Sequence, residues 1–251
     1  MKISRRYFMG AAAGSAAALW SFQPIGFDST DFPPERDPDC ALLDLNAHCV
    51  LRESLRGYRA VLGDKYGPSL ETGLNSNRPC RIAIVPGVGS IDPDMAETLT
   101  GLLEAGTHVL LESGAAFLSP AEFTTHQKML YRHFNIEVTV PVDLWQRKSV
   151  DHLVSRRPGS LPRNKKPDLA ESVPYLSYSW PRETKVRDFS RAIPVVVKEV
   201  EVIGRAGALP VALRRRTAGG GTLIFLGSPL GPALLADDLQ ARSWLRSVTV
   251  L

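Results

Sequence analysis

Apolar positions along this chain fall into two rhythms that take turns. The run Ile82-Ala83-Ile84-Val85 gives way to Pro86-Gly87-Val88-Gly89; then Met95, Leu99, Leu102 and Leu103 recur at helical spacing until Gly106. A second run, His108-Val109-Leu110-Leu111-Glu112, closes on Ser113-Gly114-Ala115-Ala116. Short apolar runs bounded by glycine turns predict buried strands, and the 3.6-residue recurrence between them predicts a helix. Asp92 is placed to cap that helix, with Pro93 in its first turn. A strand–helix–strand unit of this kind normally has parallel strands and a right-handed crossover. The pattern continues with a helix over 120–134 and a strand over Ile136–Val142.

On either side of this unit the pattern is looser. Asp37-Pro38 opens a predicted helix whose stripe is Leu42, Leu45, Cys49, Leu55 and Leu62, ended by Gly63. A polar loop covers 64–79. Strands are expected at Ala192–Val197, Val200–Ile203, Val211–Arg214 and Thr222–Leu226, then a turn over Gly227–Pro232 and a helix over Ala236–Ser247. Between the two halves, residues 145–170 hold Arg147, Lys148, Arg156, Arg157, Arg163, Lys165 and Lys166 against only Asp151 and Asp168. That stretch reads as an exposed basic loop insertion. The expected organisation is a leader and linker over 1–27, an N-terminal helical arm and loop over 28–79, and an α/β domain over 80–251. Its sheet is expected to be mostly parallel and flanked by helices.

Composition adds limits. The chain has 251 residues, 44% hydrophobic and 22% charged, which excludes a disordered, collagenous or polytopic membrane protein. The first residues, Met1 to Gly10, carry Arg5 and Arg6 ahead of a short apolar stretch, Ala11–Trp20. A basic start and a short apolar segment describe a signal peptide, too short to span a bilayer comfortably. Ser4-Arg5-Arg6-Tyr7-Phe8-Met9 resembles the twin-arginine export signal. That resemblance implies the twin-arginine translocase as export partner and a periplasmic or other extracytoplasmic location, anchored at the N-terminus if the leader is retained. Removing Lys2, Arg5 and Arg6 lowers the net charge from +4 to 27 − 26 = +1, so the basic balance gives no ground for nucleic-acid binding. Cys40, Cys49 and Cys80 permit one disulfide, though Cys40 and Cys49 are too far apart on one helix to pair. No Cys-x-x-Cys pair points to a metal site.

Two segments, Ile82–Phe117 and Leu223–Leu230, jointly resemble the class I glutamine amidotransferase-like superfamily, a parallel α/β fold. Val85-Pro86-Gly87-Val88-Gly89 stands where that family has its oxyanion turn. Leu110 to Ala115 stands at the nucleophile elbow, Gly-x-Cys-x-Gly-Ala. Leu226-Gly227-Ser228-Pro229-Leu230 stands at Phe-His-Pro-Glu. Here Glu112 replaces the cysteine, Ser228 the histidine and Leu230 the acid. The resemblance therefore implies a domain without amidotransferase catalysis, acting as an exported binding or accessory subunit with a protein partner or envelope component. Its ligand-binding candidates are Gly87, Gly89, Glu112, Ser113, Gly114 and Ser228. Its partner contacts are Arg156, Arg157, Lys165, Lys166, Tyr175, Tyr178 and Trp180.

Two alternatives stay open. One is an amide or ester hydrolase using Ser113 or Glu112, with Ser228 a further catalytic candidate. His108 begins the strand that Ser113 ends, about 16 Å away, so a base for Ser113 is left to His126 or His133. The other is a carbohydrate-binding module with Tyr175, Tyr178 and Trp180 as its platform. Pro86-Gly87-Val88-Gly89-Ser90 lacks the Lys-Ser/Thr of a phosphate loop and the third glycine of a dinucleotide fingerprint, and no cofactor is expected.

Overall fold

The computed structural model describes residues 40–43, 52–63, 80–113, 117, 119–144, 174–188, 191–198 and 200–250. Strand β1 (Cys40–Leu42) and helix α1 (Arg52–Leu62) come first. The predicted unit follows as β2 (Ile82–Val88), α2 (Pro93–Glu104) and β3 (His108–Ser113), with β2 and β3 parallel. Asp92 caps α2 by accepting from the Met95 N–H at 2.8 Å. Helix α3 (Pro120–Phe134) starts on a Ser119 cap and ends at Asn135 in the left-handed conformation, φ 49°. The rest comprises β4 (Val142–Asp143), β5 (Tyr175–Tyr178), β6 (Thr184–Arg187), β7 (Arg191–Ala192), β8 (Glu201–Ala206), β9 (Leu209–Arg216), β10 (Thr222–Leu226), α4 (Gly231–Leu235) and α5 (Leu239–Thr249).

Eight strands form one sheet in the order β1-β2-β3-β10-β9-β8-β5-β6, and β4 pairs separately with β7. The pairings β1–β2, β2–β3 and β3–β10 are parallel. Those from β10 through β9, β8, β5 and β6 are all antiparallel. This corrects the expected mostly parallel, amidotransferase-like sheet: half of it is an antiparallel meander built from the C-terminal strands. The expected helix from Asp37 is also corrected. Cys40, Ala41 and Leu42 pair with Ile82, Ala83 and Ile84 as an edge strand, and the described helix covers Arg52–Leu62. Val138 makes an isolated bridge to Val195 where a strand over Ile136–Val142 was expected.

Side chains alternate between the two faces of a strand. Ile82, Ile84, Leu110, Ile224 and Leu226 face a core closed by α1, α4 and α5, through Leu55, Tyr58, Leu234, Trp244 and Val248. Ala83, Val85, Val109, Leu111, Leu223 and Phe225 face a second core closed by α2 and α3, through Met95, Leu99, Phe123 and Leu130. The last two residues of β3 obey the same alternation. Glu112 continues the Leu110 face and Ser113 the Leu111 face.

Residues 1–39, 44–51, 64–79 and 145–173 lie outside the described residues, as do Arg5, Arg6, Arg156, Arg157, Lys165, Lys166 and Gly114. Among the described residues, no helix is long and apolar enough to cross a membrane, and no group of three His, Cys, Asp or Glu could hold a metal ion.

Candidate active site at the end of β3

Glu112 is fully buried, and its carboxylate is closed by donors from three elements. Oε1 accepts from the Ser54 hydroxyl of α1 and from the Gly87 N–H at 3.2 Å. Oε2 accepts from the Tyr58 hydroxyl at 2.7 Å, the Leu230 N–H at 3.0 Å and the Gly231 N–H at 3.3 Å. Gly87 reaches its place with φ 59°, a conformation costly for any residue with a Cβ. Gly57 and Gly231 let α1 lie directly on the start of α4. A Cβ on Gly231 would stand 2.3 Å from Ser54 Cα. Burial raises the Glu112 pKa, and the Ser54 and Tyr58 hydroxyls and the Leu230 and Gly231 amides pull it back. The same burial, with Glu112 beside it, pushes the Tyr58 phenol well above its usual range.

A carboxylate with five donors has no lone pair directed at open space. These contacts make Glu112 a buried anchor tying α1, the β2 turn and the start of α4 to the end of β3.

Ser113 occupies a different environment on the other face. Its Oγ lies 2.9 Å from Nε2 of His126, and each residue is 1% exposed. Val88, at the β2 turn, pairs with Ser113 in the sheet. Phe117 lies against the imidazole, with ring centroids 4.9 Å apart. Burial lowers the His126 pKa to about 4, opposed by the Gly89 carbonyl. The imidazole is thus neutral at neutral pH, in the form that can take a proton from Ser113. Its Nδ1 is buried without a well-formed hydrogen bond, and the Gly89 carbonyl acts on the ring as a backbone acceptor. Glu112 cannot supply one, because the pleat points it to the opposite face.

The other candidates separate. His133, two turns further along α3, lines an open depression of about 520 Å³ with Glu97 and Glu104. Ser228 is buried and donates to Asp188 Oδ1 at 2.8 Å. Gly89 is buried at the β2 turn. The aromatic platform is not assembled. Tyr175 is exposed, whereas Tyr178 is buried against Trp244 at 4.7 Å and Arg214 covers the Trp180 ring at 4.4 Å. Residues three apart on a strand point to opposite faces, so Tyr175 and Tyr178 cannot share one surface. Sequence reasoning missed Ser54, Tyr58 and Asp188. Gly57 inside a helix was the available sign for the first two, since a mid-helix glycine often marks close approach.

No family model matches the chain, and no curated protein does. Solved structures with similar folds include a β-galactosidase from Bacillus circulans sp. alkalophilus (13% identity, TM-score 0.48, 84% of this chain and 31% of that one). Others are an exo-β-1,4-mannosidase from Opitutaceae bacterium strain TAV5 (12%, 0.45, 78% and 31%) and a β-galactosidase from G. stearothermophilus (15%, 0.44, 76% and 27%). This chain spans less than a third of each of those. Nothing about activity follows from a likeness of that size.

The amidotransferase-like resemblance is corrected on the sheet itself, half of which is antiparallel. The main reading of a catalytically inactive accessory subunit, which leaned against an enzyme, is corrected with it: the fold brings together Ser113 and His126, the pair left open by the hydrolase alternative.

Proposed function

We propose that the protein is a hydrolase of amide or ester bonds, with Ser113 as nucleophile and His126 as its general base. The observation that carries this reading is the 2.9 Å contact between Ser113 Oγ and His126 Nε2 at the carboxyl end of a parallel strand, where ligand sites of open α/β sheets form. Ser113 Oγ bonds to the acyl carbon as its proton passes to Nε2. The bond from that carbon to the leaving nitrogen or oxygen breaks, and the leaving group takes the proton from His126. Water then repeats the two steps and frees Ser113 as the acid product departs. With a pKa near 4, His126 is ready as a base at pH 7 yet only weakly basic. Slow turnover follows, so covalent labelling is the more sensitive readout.

The test uses the full chain with a fluorophosphonate probe, which bonds to Ser113 and expels fluoride, together with a panel of short and medium esters and aminoacyl amides. Ser113→Ala should abolish labelling. His126→Gln should slow it by about 100-fold or more, the range of a lost general base. Equal labelling of Ser113→Ala would overturn the reading. So would a wild-type protein that neither takes the probe nor turns over any substrate of the panel.

A further inference from the structure

Phe117 follows the elbow and is half-buried, while the two rings it touches are buried. It lies 4.9 Å from the His126 ring at a 44° tilt and 5.4 Å from the Phe123 ring in an edge-on arrangement. A histidine on a helix turns about two side-chain bonds. The contact from Nε2 to Ser113 fixes one point of the ring, and the Gly89 carbonyl attracts it without a well-formed hydrogen bond, so its tilt is only loosely set. A second ring packed on the imidazole removes that freedom, and aromatic pairs at such spacings attract one another.

We propose that Phe117 is a positioning residue of this site: its ring, braced on Phe123, holds the His126 imidazole against Ser113 and covers one face of it from bulk water. The inference rests on the reading of Ser113 and His126 as nucleophile and base. Its physical signature lies in how His126 titrates. The charged groups of the elements packed around it, Glu122 and Lys128 on α3 and Asp92, Asp94 and Glu97 at the start of α2, are exposed. Glu112 points to the other face of the sheet. Burial is the main influence on His126, with the Gly89 carbonyl opposing it. Opening the Phe117 side should therefore return the imidazole towards an ordinary value, about 6.5.

The measurement is the NMR titration of His126 in the full chain, in wild type, Phe117→Ala and Phe117→Leu, alongside the pH dependence of fluorophosphonate labelling. In Phe117→Ala the midpoint should rise from about 4 by one unit or more, and the acid limb of labelling should rise with it. Phe117→Leu, which keeps most of the volume, should give a smaller rise and serves if the alanine variant fails to fold. Unchanged midpoints in the folded variants overturn the positioning role, whatever the labelling shows. A raised midpoint with no labelling of any variant or of wild type overturns the nucleophile reading, and the positioning role with it. A raised midpoint with labelling whose acid limb stays in place also overturns the positioning role.

Discussion

Glu112 and Ser113 are neighbours in sequence, at the same strand end, and the fold treats them in opposite ways. On one face Glu112 is met by two hydroxyls and three backbone amides, and every direction its oxygens can use is taken. On the other face Ser113 meets one imidazole whose far nitrogen makes no well-formed hydrogen bond. A buried polar group stabilises a fold only when its partners are complete, since an unmet one costs about 1–3 kcal/mol. The Glu112 side is thus closed by its partners, and on the proposed reading the Ser113 side is the one that reacts.

The sharpest way to break the comparison is to empty the closed side. Glu112→Ala would leave five donors buried without an acceptor and detach α1 from the start of α4. The expected cost is about 3–5 kcal/mol, the range for breaking a buried charged network. Urea denaturation at pH 7, followed by circular dichroism, measures it. A loss below about 1 kcal/mol would show that the five contacts do not act as an anchor.

The two faces should also respond to acid with opposite signs. His126 has a folded-state pKa near 4, below its ordinary 6.5. Between those values the unfolded chain takes up a proton that the folded chain refuses, so stability falls as pH falls, by about 3 kcal/mol in all. Glu112 has a raised folded-state pKa. As pH drops through that value the folded protein takes up the proton first, and this side gains stability. The difference in unfolding free energy between wild type and His126→Phe, measured from pH 7 to pH 4, isolates the first effect. A difference that stays flat over that range would remove the claim that the Ser113 side is dry.

Parts of this contrast could be read from the chain and parts could not. The β2-α2-β3 unit is legible because its signals are local: the Asp92 cap, Pro93, Gly106 and a change of period all lie within a few residues of what they control. The edge strand at Cys40 is not. Its apolar residues also fit a helical stripe extended to Leu62, and only pairing with Ile82–Ile84, some forty residues on, selects the strand. The antiparallel half of the sheet is likewise set by pairings such as Ser177 with Arg205, which leave no mark on either segment alone. Ser113 was legible as an elbow residue, with His126 and His133 left as equal candidates. The choice falls to chain length. Few residues separate Ser113 from the start of α3 at Pro120, so the early turns of that helix lie nearest, and His133 is about 10 Å further along it.

A smaller change sharpens the closed side. Tyr58→Phe keeps the ring in its core and removes one of the five donors to Glu112. Losing one hydrogen bond to a charged acceptor should cost about 2 kcal/mol, less than the loss of the carboxylate itself. Thermal unfolding of this variant and of Glu112→Ala ranks the two. Equal losses would mean that the Tyr58 contact alone carries the anchor, and that the backbone amides add nothing.

The smallest expected effect on stability separates a reacting group from a packing one. Ser113→Ala removes one neutral hydrogen bond and leaves Nε2 of His126 without its partner. The imidazole is neutral, and the alanine methyl keeps most of the volume of the serine. The cost should be about 1 kcal/mol. Labelling by the fluorophosphonate should nevertheless vanish completely. A structural serine would show the reverse relation, a loss of stability in proportion to its contacts and no chemistry to lose. If Ser113→Ala instead destabilises the protein as much as Tyr58→Phe does, the two faces are not different in kind, and Ser113 belongs with Glu112 as part of the scaffold.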